Sequence, residues 1–164
     1  MNVESLVPFL GTPITSLGLR EAFAALGVDV LTEATLPEDE FSAYVERPDA
    51  GVSFSFTDEA MFLAKGDQPI GVGPLFFTAI FFYAASVDGY SQYQHRLPGD
   101  VHLADGTATL RRKLGEPEWS RWLDGKVVSD RWVVNGRKLD ASYSDGGSVR
   151  VLTYFLPNVE TSTA

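Results

Sequence analysis

A chain of 164 residues with 45% hydrophobic and 21% charged residues can bury one substantial core or two small ones sharing an interface, and this composition excludes wholesale disorder. Its net charge of −9 repels a phosphate backbone, which sets nucleic acid aside and favours a basic protein surface as partner. With no cysteine, a disulfide framework, a thiolate metal site and a cysteine nucleophile are all excluded.

In chain order, the opening MNVESLVPFLGTPITSLG lacks the basic region and compact apolar core of a secretory signal, so a cytoplasmic location is expected. Residues 19–27 (LREAFAALG) read as a short amphipathic helix with a Leu-Gly stop. Glu38, Asp39 and Glu40 follow Pro37 in a turn-like stretch, where they serve as a solvated helix start or as bait for a basic surface. Residues 51–58 (GVSFSFTD) alternate as a strand with Val52, Phe54 and Phe56 inward and Ser53 and Ser55 outward, and Asp58 and Glu59 sit at its end. No charge occurs between Asp67 and Asp88, yet Gly71, Gly73 and Pro74 leave an apolar run too short for a helix to cross a bilayer. The run therefore predicts a buried central strand, and no membrane partner.

Residues 88–98 (DGYSQYQHRLP) are polar, aromatic and turn-rich, and read as a linker that offers Tyr90 and Tyr93 to a partner. A second helix is expected over 107–115 (TATLRRKLG). Trp119 and Trp122 come after Pro117 and before the Asp124-Gly125 turn, where exposure is easy and contact with a partner is expected. Strands are expected over 131–135, where Trp132 belongs to the core, and over 138–144, with Asn135-Gly136 as the hairpin turn between them. Leu139, Ala141 and Tyr143 then point inward. A last strand over 148–156 follows the Asp145-Gly146-Gly147 turn, and residues 158–164 form a flexible tail.

Two landmarks recur. Residues 19–27 resemble 107–115, and 51–58 resemble 138–145 (KLDASYSD), at offsets of 88 and 87 positions. The expected fold is therefore α+β, with two diverged units of a helix plus an antiparallel sheet, the helices covering one sheet face and the other face open. The first unit spans 1–87, the linker 88–98 and the second unit 99–157, together forming one compact domain. A homodimer is compatible with this plan.

From Tyr90 onward, the Leu97-Pro98 start, the helix ending Leu114-Gly115-Glu116-Pro117, the strand bearing Trp132 and the closing strand after Asp145-Gly146 resemble bacterial immunity proteins encoded beside interbacterial toxins. The same unit resembles the tandem repeats of the β-lactamase-inhibitor protein and the small lipoproteins of outer-membrane assembly, whose lipid-bearing cysteine this chain lacks. The first 87 residues fit loosely, since Val28-Asp29 follows Gly27 where the pattern has a proline. The resemblance implies binding by surface complementarity without chemistry: no catalytic residue, no metal, no cofactor, and a cognate cytoplasm-acting toxin, basic at the contact, as partner.

A direct search for chemistry agrees. His95 and His102 lie seven apart and do not write a two-histidine helical metal site, Phe76 stands where Gly71-x-Gly73 needs its third glycine, and no serine sits in a nucleophile-elbow pattern. The competing readings are an enzyme built on paired carboxylates among Glu38, Asp39, Asp58 and Glu59, and an assembly module whose repeat bridges proteins. On the leading reading, partner-binding falls to Glu38, Asp39, Glu40, Asp58, Glu59, Tyr90, Tyr93, Trp119 and Trp122.

Overall fold

The structure, a computed structural model, describes residues 1–159. It is α+β, as expected. Helices α1 (Leu17–Ala24), α2 (Val30–Glu33), α3 (Glu59–Phe62) and α4 (Thr107–Leu114) accompany strands β1 (Ser42–Arg47), β2 (Val52–Asp58), β3 (Leu75–Tyr83), β4 (Trp119–Leu123), β5 (Lys126–Val134), β6 (Arg137–Tyr143) and β7 (Val149–Phe155). The strands form one antiparallel sheet in the order β1-β2-β3-β7-β6-β5-β4. Read from its middle outward, this order gives β3-β2-β1 one way and β7-β6-β5 the other. The two similar stretches thus lie on β2 and β6, which hold equivalent places, and β4 is an extra strand with no counterpart after α1.

By its internal packing the chain falls into two compact units. One comprises residues 1–46, 54–79 and the chain from Leu156 onward; the other comprises 47–53 and 80–155. In the first unit Phe23 of α1 is fully buried and meets Phe54 and Phe77 edge-on, both at 5.1 Å between ring centroids, with Phe56 tilted at 5.6 Å. Such aromatic pairs add about 0.5–1.5 kcal/mol each beyond the area they bury. This is the inward face expected for β2. Its other face, expected to be open, is buried as well: Ser53, Ser55 and Thr57 are all covered. Two of the hydroxyls are satisfied within the protein, Thr57 paired to Thr78 at 2.9 Å and, in the second unit, Ser53 to Tyr83 at 3.1 Å. The apolar run supplies β3, an interior strand between β2 and β7, and no helix among the described residues is long and apolar enough to cross a membrane.

In the second unit the hairpin β5-β6 turns on Asn135 and Gly136 with φ of 52° and 77°, the paired left-handed geometry that lets a two-residue loop follow the strand twist. Leu139, Ala141 and Tyr143 are buried on one face, while Lys138, Asp140 and Ser142 are half-buried on the other. The expected open face therefore exists over β6. Trp132 is core as expected, buried with its Nε1–H donating to the Gly115 carbonyl at 2.9 Å.

Residues 88–98 are packed into this unit instead of linking two others. Tyr90 stacks on Tyr83 at 3.7 Å with the rings 9° apart, Tyr93 lies 4.8 Å from Phe82, and Leu97 is buried. The strap passes so close to Gly51 (φ +72°) that a Cβ there would lie 2.4 Å from both the Ser91 carbonyl oxygen and the Tyr93 nitrogen. Gly51→Ala combines a left-handed residue with a backbone clash and is expected to cost about 2 kcal/mol, read as a fall in the urea midpoint. Residues 160–164 of the expected tail lie outside the described residues. The tail's start is anchored, since the Val159 N–H donates to the Phe62 carbonyl at 2.8 Å.

Candidate functional site

The most exposed apolar surface of the second unit is on its outermost strand. β4 pairs with β5 on one side only and ends the sheet order. Trp122 is 60% and Leu123 57% exposed, Trp119 is also exposed, and so is Val133 of β5, two residues beyond Arg131, which pairs with Trp119. The β4-β5 hairpin turns on Asp124 and Gly125 with φ of 49° and 77°, the same two-residue geometry as β5-β6, and a register irregularity falls between Arg121 and Trp122.

Trp119 is fixed by its neighbours. Arg131 lies opposite it on β5 and stacks its guanidinium 5.0 Å from the Trp119 ring and 5.3 Å from that of Phe155. Asp140, opposite Arg131 on β6, grips the same guanidinium through two hydrogen bonds of 2.7 and 3.1 Å. A guanidinium fork held by a carboxylate and lying within cation–π reach of two rings helps to orient those rings. Lys138 pairs with Glu118 beside them. The row Trp119–Arg131–Asp140–Thr153 is thus an ordered, half-open surface running across four strands.

Under this surface lies a buried ionic network that sequence reasoning missed. Asp130 is 0% exposed. Arg111 of α4 donates to both its oxygens, Nε to Oδ2 at 2.9 Å and Nη2 to Oδ1 at 2.8 Å. Ser120 donates to Oδ1 at 2.6 Å and Tyr143 to Oδ2 at 3.0 Å. Burial pushes the Asp130 carboxyl up, but the hydrogen bonds from Arg111, Ser120 and Tyr143 outweigh it and hold the group below the ordinary carboxylate range. Burial and the adjacent Asp130 charge push the Tyr143 phenol upward, so it stays a donor. One carboxylate thereby ties α4, β4, β5 and β6 together and sets the edge strand in place. A signal was available: Asp130 lies two residues before the core Trp132, on the same strand face, and a carboxylate on a buried face requires partners. The expected strand began one residue later, at Arg131, and so left Asp130 out.

The predicted partner residues separate sharply. Trp119 and Trp122 are exposed on β4, as expected. Tyr90 and Tyr93 are 6% and 3% exposed, which corrects their expected role: their rings are consumed by stacking within the core. Asp58 is likewise corrected. It is fully buried at the end of β2, where Oδ2 accepts from the Ala60 N–H at 3.0 Å and Oδ1 from the Gly71 N–H at 2.9 Å, so it caps α3 and fastens the following loop. Glu59 is paired with Lys65. Glu38, Asp39 and Glu40 are exposed and line a shallow groove of the first unit with Leu36, Phe41 and Ile70. His95 and His102 are both exposed, and among the described residues no group of three or more His, Asp or Glu side chains is placed to hold a metal ion.

Charge is distributed unevenly. Among the described residues the first unit has eleven carboxylates against two cations, Arg20 and Lys65, whereas the second has ten against eleven. The acidity of the chain is therefore a property of the first unit. Compared with protein-family models, curated proteins and solved structures, the chain gives no match.

Proposed function

We propose that this chain is an immunity protein, which binds a cognate cytoplasm-acting toxin and occludes its active site. The observation that carries the reading is the exposed aromatic edge of the second unit, where Trp119, Trp122 and Leu123 stand out on a strand anchored by a buried ionic network. Soluble surfaces seldom hold two exposed tryptophans and a leucine within five residues unless something covers them, and tryptophan is the residue most enriched in binding hot spots. Pre-ordering by Arg131 and Asp130 lowers the entropy lost on association. The concentrated acidity of the first unit supports a partner that is basic overall, since it would steer such a partner and speed encounter. The resemblance of the second repeat to immunity proteins supplies the biological setting.

Expression of the adjacent open reading frame tests this. Alone, its product is expected to arrest growth, and co-expression with this chain is expected to restore it. A neighbour that is harmless in cells lacking this chain overturns the reading.

A further inference from the structure

Resting on that reading, we propose that the outer edge of β4 is a strand-addition site: an extended segment of a different protein, carrying a carboxylate flanked by apolar side chains, pairs its backbone with Trp119–Leu123. Among the described residues, the terminal place of β4 leaves the hydrogen-bonding groups on its outer side without a strand. Among the described residues, no isolated bridge involves this strand either. Such an edge is a template for another chain, and folded proteins usually blunt it with charge, brevity or a bulge. Here those devices amount to Arg121 and the irregularity beside it, in a strand otherwise lined by exposed Trp119, Trp122 and Leu123. β4 is also the strand without a counterpart after α1, so the helix-plus-three-strand plan of the repeat does not require it.

Charge selects the occupant. Arg121 is the middle residue of the strand, so antiparallel pairing of β4 with β4 of a second copy along its whole length about a two-fold axis sets Arg121 directly against Arg121. Like charges directly opposite each other on paired strands are destabilising. A carboxylate at that place on a foreign strand reverses the sign. Arg121 is exposed and takes part in none of the ion pairs of the described residues, so it is available to that carboxylate. Main-chain pairing would supply affinity, and the Trp119 and Trp122 rings would set which apolar neighbours the segment carries.

Amide hydrogen exchange by mass spectrometry, on the full chain alone and mixed with the product of the adjacent reading frame, tests the site. In the complex the β4 amides are expected to exchange at least about tenfold more slowly. Arg121→Glu is expected to weaken the complex about tenfold, with an unchanged thermal midpoint, while Arg121→Lys retains most of the affinity. A complex in which β4 exchanges as it does in the free chain, or undiminished affinity of Arg121→Glu, overturns the strand-addition site and leaves the immunity reading standing. Absence of any complex overturns both.

Discussion

Arg111→Ala is expected to destabilise the protein by about 4 kcal/mol, and Asp130→Ala by about 3 kcal/mol, both within reach of the range for breaking a buried ion pair. The order follows from burial. Removing Arg111 strands a carboxylate that is 0% exposed and keeps only the neutral donors Ser120 and Tyr143. Removing Asp130 leaves a guanidinium whose side chain is 34% exposed and regains water, although Ser120 and Tyr143 also lose their acceptor. The network also makes stability depend on pH. The Asp130 carboxyl binds its proton less readily in the folded chain than in the unfolded one, so its contribution is complete above the ordinary carboxylate range and is lost as the pH falls through the folded value. Urea titrations between neutral and acid pH are expected to show this loss in the parent protein and a flatter profile in Asp130→Asn. Equal stability of Arg111→Ala and the parent would remove the network from the account.

Trp122→Ala is expected to weaken binding to the product of the adjacent reading frame by about 2–4 kcal/mol, the scale of a central hot-spot residue. Its effect on folding is expected to stay within about 0.5 kcal/mol, as for surface substitutions generally, because the ring is 60% exposed. Trp119→Ala is expected to weaken binding too, with a measurable cost to stability, since Arg131 loses a ring on which it stacks. Paired calorimetric titrations and thermal melts separate the two effects. Undiminished affinity of both variants removes β4 from the interface.

Much of this architecture is readable from short-range pattern. Alternation identified the inward faces of β2 and β6, Asn135-Gly136 marked a hairpin turn and Asp124-Gly125 a turn, and the uncharged run pointed to an interior strand. Trp132 in the core and Trp119 and Trp122 outside it followed from their places relative to Pro117 and the turns. What alternation did not convey was which strands have neighbours on both faces. Ser53 and Ser55 read as solvent-facing because hydroxyls tolerate water, yet they are equally content when a Tyr or Thr hydroxyl lies opposite, as with Ser53 and Tyr83. Tyr90 and Tyr93 misled for a related reason: a polar, turn-rich segment resembles a linker, and only the tertiary fold places Tyr83 and Phe82 under its rings. Asp58 read as a surface acid at a strand end, where its actual partners are backbone N–H groups, one of them thirteen residues downstream at Gly71. The Arg111–Asp130 pair joins a helix to a strand nineteen residues on, and such long-range pairing is invisible to any local window.

As proposed, this chain silences a neighbouring toxin by binding it. Titration of the purified product of the adjacent reading frame with this protein, followed by heat and by the product's own activity, tests it most directly. A saturable one-to-one complex tighter than about 10 nM, as standard-size interfaces with good anchors reach, with activity falling to zero at equivalence, is the expected result. Full activity in the presence of a stoichiometric excess, with no heat of binding, would contradict it.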